Sequence, residues 1–182
     1  MSQKNLPDKY DLKVLSLGAG VQSSTVLFKI LDGQVDKPDV AIFADTQNEP
    51  KEVYEYLKYL QKQVKDYMPI HIVSKSNIYD DALSDPEYGT NKGFLTMPVY
   101  GIDETGKKTL GRRQCTNDYK IQPIHKEVRK ILGVKSLKNK NVLMYMGIST
   151  DEIQRVAKPR QQWQINYYPL IELDMNRHDC KH

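Results

Sequence analysis

Four short stretches of this sequence bring together residue types that could handle a phosphate group. In "LSLGAGVQSST", residues 15–25, the glycines Gly18 and Gly20 flank Ala19, and Gln22 separates them from the hydroxyls of Ser23 and Ser24, with Ser16 just upstream. Glycines let an anion approach the backbone, and serine hydroxyls add donors to the N–H groups of a helix start. "IFADTQNEP", residues 42–50, offers Asp45, Thr46, Asn48 and Glu49. "GRRQCTNDYKIQPI", residues 111–124, brings Arg112, Arg113, Cys115 and Lys120 to a helix start. "GISTDEIQR", residues 147–155, sets the acids Asp151 and Glu152 beside Arg155.

The elements that must position these stretches alternate between strand and helix. Residues 13–17 form a short apolar run, residues 18–20 a turn, and residues 23–31 carry Val26, Leu27, Ile30 and Leu31 at helical spacing. Residues 40–43 read as a second buried strand, and Pro50 opens a helix whose stripe is Val53, Leu57, Leu60 and Val64. Residues 70–73 are a third strand, and residues 142–148 a fourth. Between them, Ile121, Ile124, Val128, Ile131 and Leu132 make a helical stripe ended by Gly133. Residues 74–111 lose the pattern, which predicts an insertion or an active-site loop; its Tyr79, Tyr88, Phe94 and Tyr100 would close over a substrate or simply line a surface loop. Alternation of this kind predicts one α/β domain over residues 1–182, a mostly parallel sheet with helices on both faces, and ligands beyond the carboxyl ends of the strands. All four chemical stretches fall at such ends.

The first loop matches neither G-x-G-x-x-G nor G-x-x-x-x-G-K-[ST] and has no lysine, so ordinary dinucleotide binding and Walker-type phosphate binding both lose support. Each stretch also has a plain structural reading. The loop would be a tight turn with a serine cap, Asp45 a cap for the helix at Pro50, Arg112 and Arg113 surface charges, and Glu152 with Arg155 an exposed i, i+3 pair.

Taken together, "SLGAGVQSS", "FADTQNEP", "RRQCTNDYKIQPI" and "GISTDEIQR" resemble the PP-loop superfamily of adenine-nucleotide alpha hydrolases, in its phosphoadenosine phosphosulfate reductase-like branch, often met in phages and bacteria. The resemblance covers residues 12 to 180. It implies a HUP-type, Rossmann-like parallel sheet of about five strands, with a pyrophosphate or phosphosulfate on residues 18–24 and adenine near Ala44, Asp45 and Thr46. It further implies ATP as ligand, cleaved between its α- and β-phosphates with Mg2+, or a sulfonucleotide that is reduced. Arg112, Arg113 and Lys120 would then neutralise charge during attack at the α-phosphate, and Asp151 or Glu152 would contact a metal or the acceptor.

Two departures bear on catalysis. Family loops commonly read Ser-Gly-Gly-x-Asp-Ser, whereas Gln22 stands here in the place of the acid. The reductases carry a C-terminal Glu-Cys-Gly-x-His segment, whereas this chain has "DCKH" at residues 179–182, without the glycine and with another spacing. Relatives generally continue past the position of Cys180 with a cysteine pair, so the chain is short for the family; its two cysteines, Cys115 and Cys180, make a weak case for zinc or an iron–sulfur cluster. Of the two, Cys115, flanked by arginines, is the better candidate for a low-pKa thiol.

Composition narrows the setting. With 27 basic against 23 acidic residues the net charge is +4, and residues 126–140 hold much of the local excess. Such a run is a solvated face or a contact for a phosphate-rich partner, DNA or tRNA. No stretch approaches the roughly 18 apolar residues of a membrane span. The polar start and the two distant cysteines point to a reducing, cytoplasmic setting.

Overall fold

A computed structural model describes residues 9–84, 100–102, 104–110, 116–159 and 161–181. Arg112, Arg113, Cys115, Tyr88 and Phe94 lie outside the described residues. The strands and helices form in the predicted order. β1 (Leu12–Leu17) leads through a three-residue turn to α1 (Val21–Leu31), then come β2 (Val40–Ala44), α2 (Lys51–Gln63) and β3 (Ile70–Val73). α3 (Ile78–Ser84) and an antiparallel hairpin, β4 (Tyr100–Ile102) with β5 (Lys108–Leu110), follow. A π-helical segment (Thr116–Ile121) runs into α4 (Gln122–Ile131), and the chain continues with β6 (Val142–Met146), a 3-10 helix (Thr150–Arg155), β7 (Gln164–Tyr167), α5 (Pro169–Glu172) and a last 3-10 turn (Asp179–Lys181).

Five strands make one parallel sheet in the order β3-β2-β1-β6-β7. Leu17 pairs with Phe43 on one side of β1, and Ser16 with Met146 on the other. The chain first builds outward from β1 to β2 and β3, then returns to add β6 and β7 on the opposite side. That reversal makes a topological switch point between β1 and β6, where an open parallel sheet leaves a crevice beyond its carboxyl ends. A parallel α/β sheet is thus what the alternation predicts, and a Rossmann-like sheet of about five strands is what the resemblance implies.

The two strands flanking β1 are apolar throughout, as a sheet covered on both faces requires: β2 is buried at every position and β6, Val-Leu-Met-Tyr-Met, at all but the last. Against them pack Val26, Leu27 and Ile30 of α1, with Leu57, Leu60 and Val64 from the α2 stripe. Each such fully buried aliphatic side chain contributes about 1.5–3 kcal/mol of transfer free energy.

By contacts the chain divides into two compact units. One comprises residues 1–43, 51–71 and 128–182, and the other residues 44–50 and 72–127. The described residues within 74–111 are more regular than the sequence pattern suggests. Asn77 caps α3, its Oδ1 accepting the N–H groups of Tyr79 and Asp80 at 2.9 and 3.2 Å, and Gly106 takes the left-handed φ of 82° in the hairpin turn. A short helix and three-residue strands carry too few periods for hydrophobic spacing to reveal. β7 escaped for a related reason: Gln-Ile-Asn-Tyr is a short edge strand, half-buried at every position.

Candidate functional site

The first unit contains the switch point and most of the candidate residues. α1 begins at Gly20, whose extended backbone (φ −93°, ψ 171°) serves as N-cap without a side-chain hydrogen bond. A Ser, Thr, Asp or Asn at this position would supply an acceptor for the first-turn N–H groups. Glycine supplies none, so those donors stay at hand for an anion, at the positive end of the helix dipole.

The serines divide the work differently from the sequence expectation. Ser23 holds the turn itself: its Oγ accepts the Gly18 N–H at 3.2 Å and donates to the Gly20 carbonyl at 3.1 Å. Ser24 is 3 % exposed, and among the described residues its hydroxyl has no hydrogen-bond partner. A buried hydroxyl left this way forfeits about 1–3 kcal/mol of desolvation. Ala19, between the glycines, sits in the left-handed region at φ 51°, and Ser16 is half-buried in β1.

The carboxyl end of β6 is pressed onto this helix start. A Cβ at Gly147 would lie 2.7 Å from both the N and the Cα of Ser23 and 3.0 Å from the Gln22 carbonyl carbon, so only glycine fits there. Hence β6 stops at Met146, one residue before the contact and two short of the predicted strand end. Just beyond, Ser149 is fully buried. It donates to Asp151 Oδ1 at 2.7 Å and receives a long 3.5 Å hydrogen bond from the Gln22 amide. Gln22 is itself buried and joins α1 to the segment after β6.

Asp151 and Glu152 are engaged within the fold. Asp151 also accepts the Arg177 N–H at 2.9 Å; the Ser149 hydroxyl and this N–H hold its carboxyl below the usual carboxylate range. Glu152 lies between Arg155 at 2.5 Å and Arg177 at 3.8 Å, so the plain i, i+3 reading of Glu152 with Arg155 describes what is seen. The C-terminal turn closes over the same region: the Thr25 hydroxyl lies 2.9 Å from the Val21 carbonyl and 3.1 Å from that of Cys180, with one proton to share. Burial pushes the Cys180 thiol up, the opposite of an activated thiolate. Among the described residues no three His, Cys, Asp or Glu side chains come together as a metal site.

The second unit holds Ala44, Asp45, Thr46 and Lys120. Asp45 Oδ1 accepts the Gln47 N–H at 2.7 Å, shaping a turn in which Gln47 has a φ of 58°. Thr46, buried, donates to Glu49 at 3.0 Å, and Lys120 lies 3.7 Å from the same Glu49 oxygen. Lys120, expected to meet a phosphate, is thus a half-exposed partner of Glu49, a pair worth about 0–1 kcal/mol. In the same unit Tyr119 and Ser76 both donate to Asp81, and Lys75 stacks 4.7 Å over the Tyr119 ring.

Sequence reasoning missed Gly147, Ser149 and Arg177. The first two lay inside a stretch already marked for chemistry, and a glycine within a predicted strand was the available signal. Arg177 gave none, because its partners are some 25 residues away in the chain. Comparison with protein-family models, with curated proteins and with solved structures finds no match to this chain.

Proposed function

We propose that this chain is an adenine-nucleotide-binding protein of the PP-loop type, which holds the phosphates of ATP or a sulfonucleotide at residues 18–24 and cleaves ATP between its α- and β-phosphates. The observation that carries the reading is an N-terminal turn of α1, at the switch point of a parallel sheet, with no side-chain cap and with a buried Ser24 hydroxyl lacking a partner. Both leave donors where an anion would satisfy them. The four stretches that resemble the PP-loop superfamily support adenine as the base. In this proposal the first-turn N–H groups and Ser24 take the phosphate oxygens, Ser23 keeps the turn in shape, and Arg112, Arg113 and Lys120 neutralise developing charge. Lys120 would have to leave Glu49 to do so.

Mg2+ fits the proposal as the nucleotide's own counter-ion rather than as an ion held by Asp151 and Glu152, whose oxygens already serve Ser149, Arg155 and Arg177. Zinc or an iron–sulfur cluster does not fit the described residues.

A second reading, a nucleotide-binding module without catalysis, is favoured by the buried Gln22 amide in the place of the family's acid. Sulfonucleotide reduction is the weaker alternative, because burial pushes the Cys180 thiol up, away from a ready thiolate. One experiment separates all three. Purified protein with magnesium and ATP should gain thermal stability and release AMP and pyrophosphate; at ligand concentrations about 100 times Kd the gain is about 2.7 kcal/mol. Protection without AMP establishes the non-catalytic module, and sulfite release from a sulfonucleotide with a thiol establishes the reductase. No shift with millimolar ATP, AMP or a sulfonucleotide overturns nucleotide binding altogether.

A further inference from the structure

The opposite edge of the same unit carries a feature that the nucleotide reading does not use. The segments entering β6 and β7 enclose a cleft of about 510 Å³, lined by Arg129, Lys135, Lys138, Ser136, Gln161 and Gln162, with Leu137 and Trp163 buried beside them. These residues precede the strands, so the cleft lies at the amino ends of β6 and β7, whereas residues 18–24 and 147–152 follow β1 and β6 at carboxyl ends. The two segments are tied together by the Val142 N–H, which donates to the Trp163 carbonyl at 2.9 Å.

The lining is chemically one-sided. It holds three cations and no carboxylate, in a chain whose basic and acidic residues are nearly balanced at 27 to 23. Among the described residues Arg129, Lys135 and Lys138 make no ion pair, whereas nearby Lys140 is held by Asp11 at 2.9 Å. Neutralising the end of α4 does not explain them all. Its last carbonyls are met by the N–H groups of Leu132, Gly133 and Val134 at 3.0–3.1 Å, and Lys135 and Lys138 lie past that turn. Neutral donors complete the set: two glutamine amides, and Ser136, whose Oγ accepts the Lys138 N–H at 3.3 Å and keeps its own proton to give.

We propose that this cleft is a second binding site, for the phosphodiester backbone of a nucleic-acid strand. Arginine, lysine, serine and glutamine are the side chains that contact phosphate and sugar oxygens in such complexes. Several cations spread around a concave polar cleft suit a chain of phosphates, while a lipid surface calls for a flat basic face with apolar anchors. Within the charge run at residues 126–140, Lys140 is thus held in an ion pair within the fold, while Arg129, Lys135 and Lys138 line the cleft.

The test is fluorescence anisotropy with labelled 20-nucleotide single strands of RNA and DNA and the corresponding duplex, across a salt series. Neutralising three single-strand phosphates gives a log–log salt slope of about −2, hence roughly fifteen- to twentyfold weaker binding at 200 than at 50 mM salt. The triple variant R129Q/K135Q/K138Q should lose that slope and at least about tenfold in affinity. Its thermal protection by ATP should be unchanged, so failure here and failure of the nucleotide reading are distinguishable. If the triple variant does not fold, the exposed single changes Lys135→Glu and Lys138→Glu carry the test, each lowering the slope. Wild-type affinity in the variants, equal competition by polyglutamate, or complete displacement by millimolar inorganic phosphate would overturn the proposal. Tighter binding to the duplex than to either strand would still support it and name the form bound.

Discussion

Replacing Gly147 by alanine tests the most tightly built contact in the molecule. The new methyl would stand 2.7 Å from two backbone atoms of Ser23 and 3.0 Å from a third in Gln22. Comfortable carbon contacts lie at about 3.5–4.0 Å, so the end of β6 and the start of α1 must part by roughly 0.8–1.3 Å. Neither side is a side chain that can swing away. Overpacking of this kind costs about 1–3 kcal/mol. In a domain of this size each kcal/mol lowers the melting temperature by about 2–4 °C, which gives a fall of about 2–12 °C for Gly147→Ala. The displaced atoms are the first turn of α1, so the protection given by ATP should shrink as well; a misplacement of about 1 Å can cost up to about 100-fold where geometry matters. Thermal unfolding with and without ATP reads both effects. Gly20→Ala is the comparison for the melting temperature alone: a Cβ there meets nothing within 4 Å, but residue 20 belongs to the proposed binding loop. A melting temperature for Gly147→Ala equal to the wild type's, or a fall no larger than the control's, would refute the reasoning.

Two serines one residue apart should respond in opposite ways. Ser24→Ala removes a buried hydroxyl without a partner and adds helix propensity, so the free protein should gain up to about 2 kcal/mol while ATP protection declines; a loss above 1 kcal/mol in denaturant unfolding would mean the hydroxyl is satisfied. Ser23→Ala deprives the Gly18 N–H of its acceptor and should cost about 1–2 kcal/mol in the same assay, with unchanged stability as the refuting result. Acid should destabilise the fold through Asp151 and Asp81, the latter held low by the hydroxyls of Ser76 and Tyr119. A carboxyl with a depressed folded-state pKa contributes fully above its unfolded value of about 3.9 and loses that contribution as pH falls through the folded one. Asp151→Asn and Asp81→Asn should therefore each flatten the decline of melting temperature below about pH 4, and curves parallel to the wild type's would contradict this.

The repeating parts of this molecule were readable because repetition is what burial writes into a sequence. β1, β2, β3 and β6 are runs of apolar residues, and the stripe Val53, Leu57, Leu60 and Val64 announces α2. β7 and the hairpin were too short or too polar to leave that trace. Within the candidate site, the glycine turn and serine pair were legible as residue types, but not their division of labour. Which hydroxyl is consumed by the turn and which is left over depends on where Gly18 and Gly20 point their backbone groups. Nor does local sequence tell that Glu152 is claimed by an arginine 25 positions on. Electrostatic partners brought together by the return of the chain follow from topology alone.

The middle of the sheet has one more consequence. β6 spans only five residues, a rise of about 16 Å, and is paired along its length with β1 on one side and β7 on the other. It cannot slide by one residue without turning its buried side chains to the wrong face. Gly147 stands at one end of this strut, and the segment bearing Lys135 and Lys138 enters at the other. The strand therefore works as a gauge block: two molecules bound at its ends are kept at a set spacing, and any single molecule touching both must match that length.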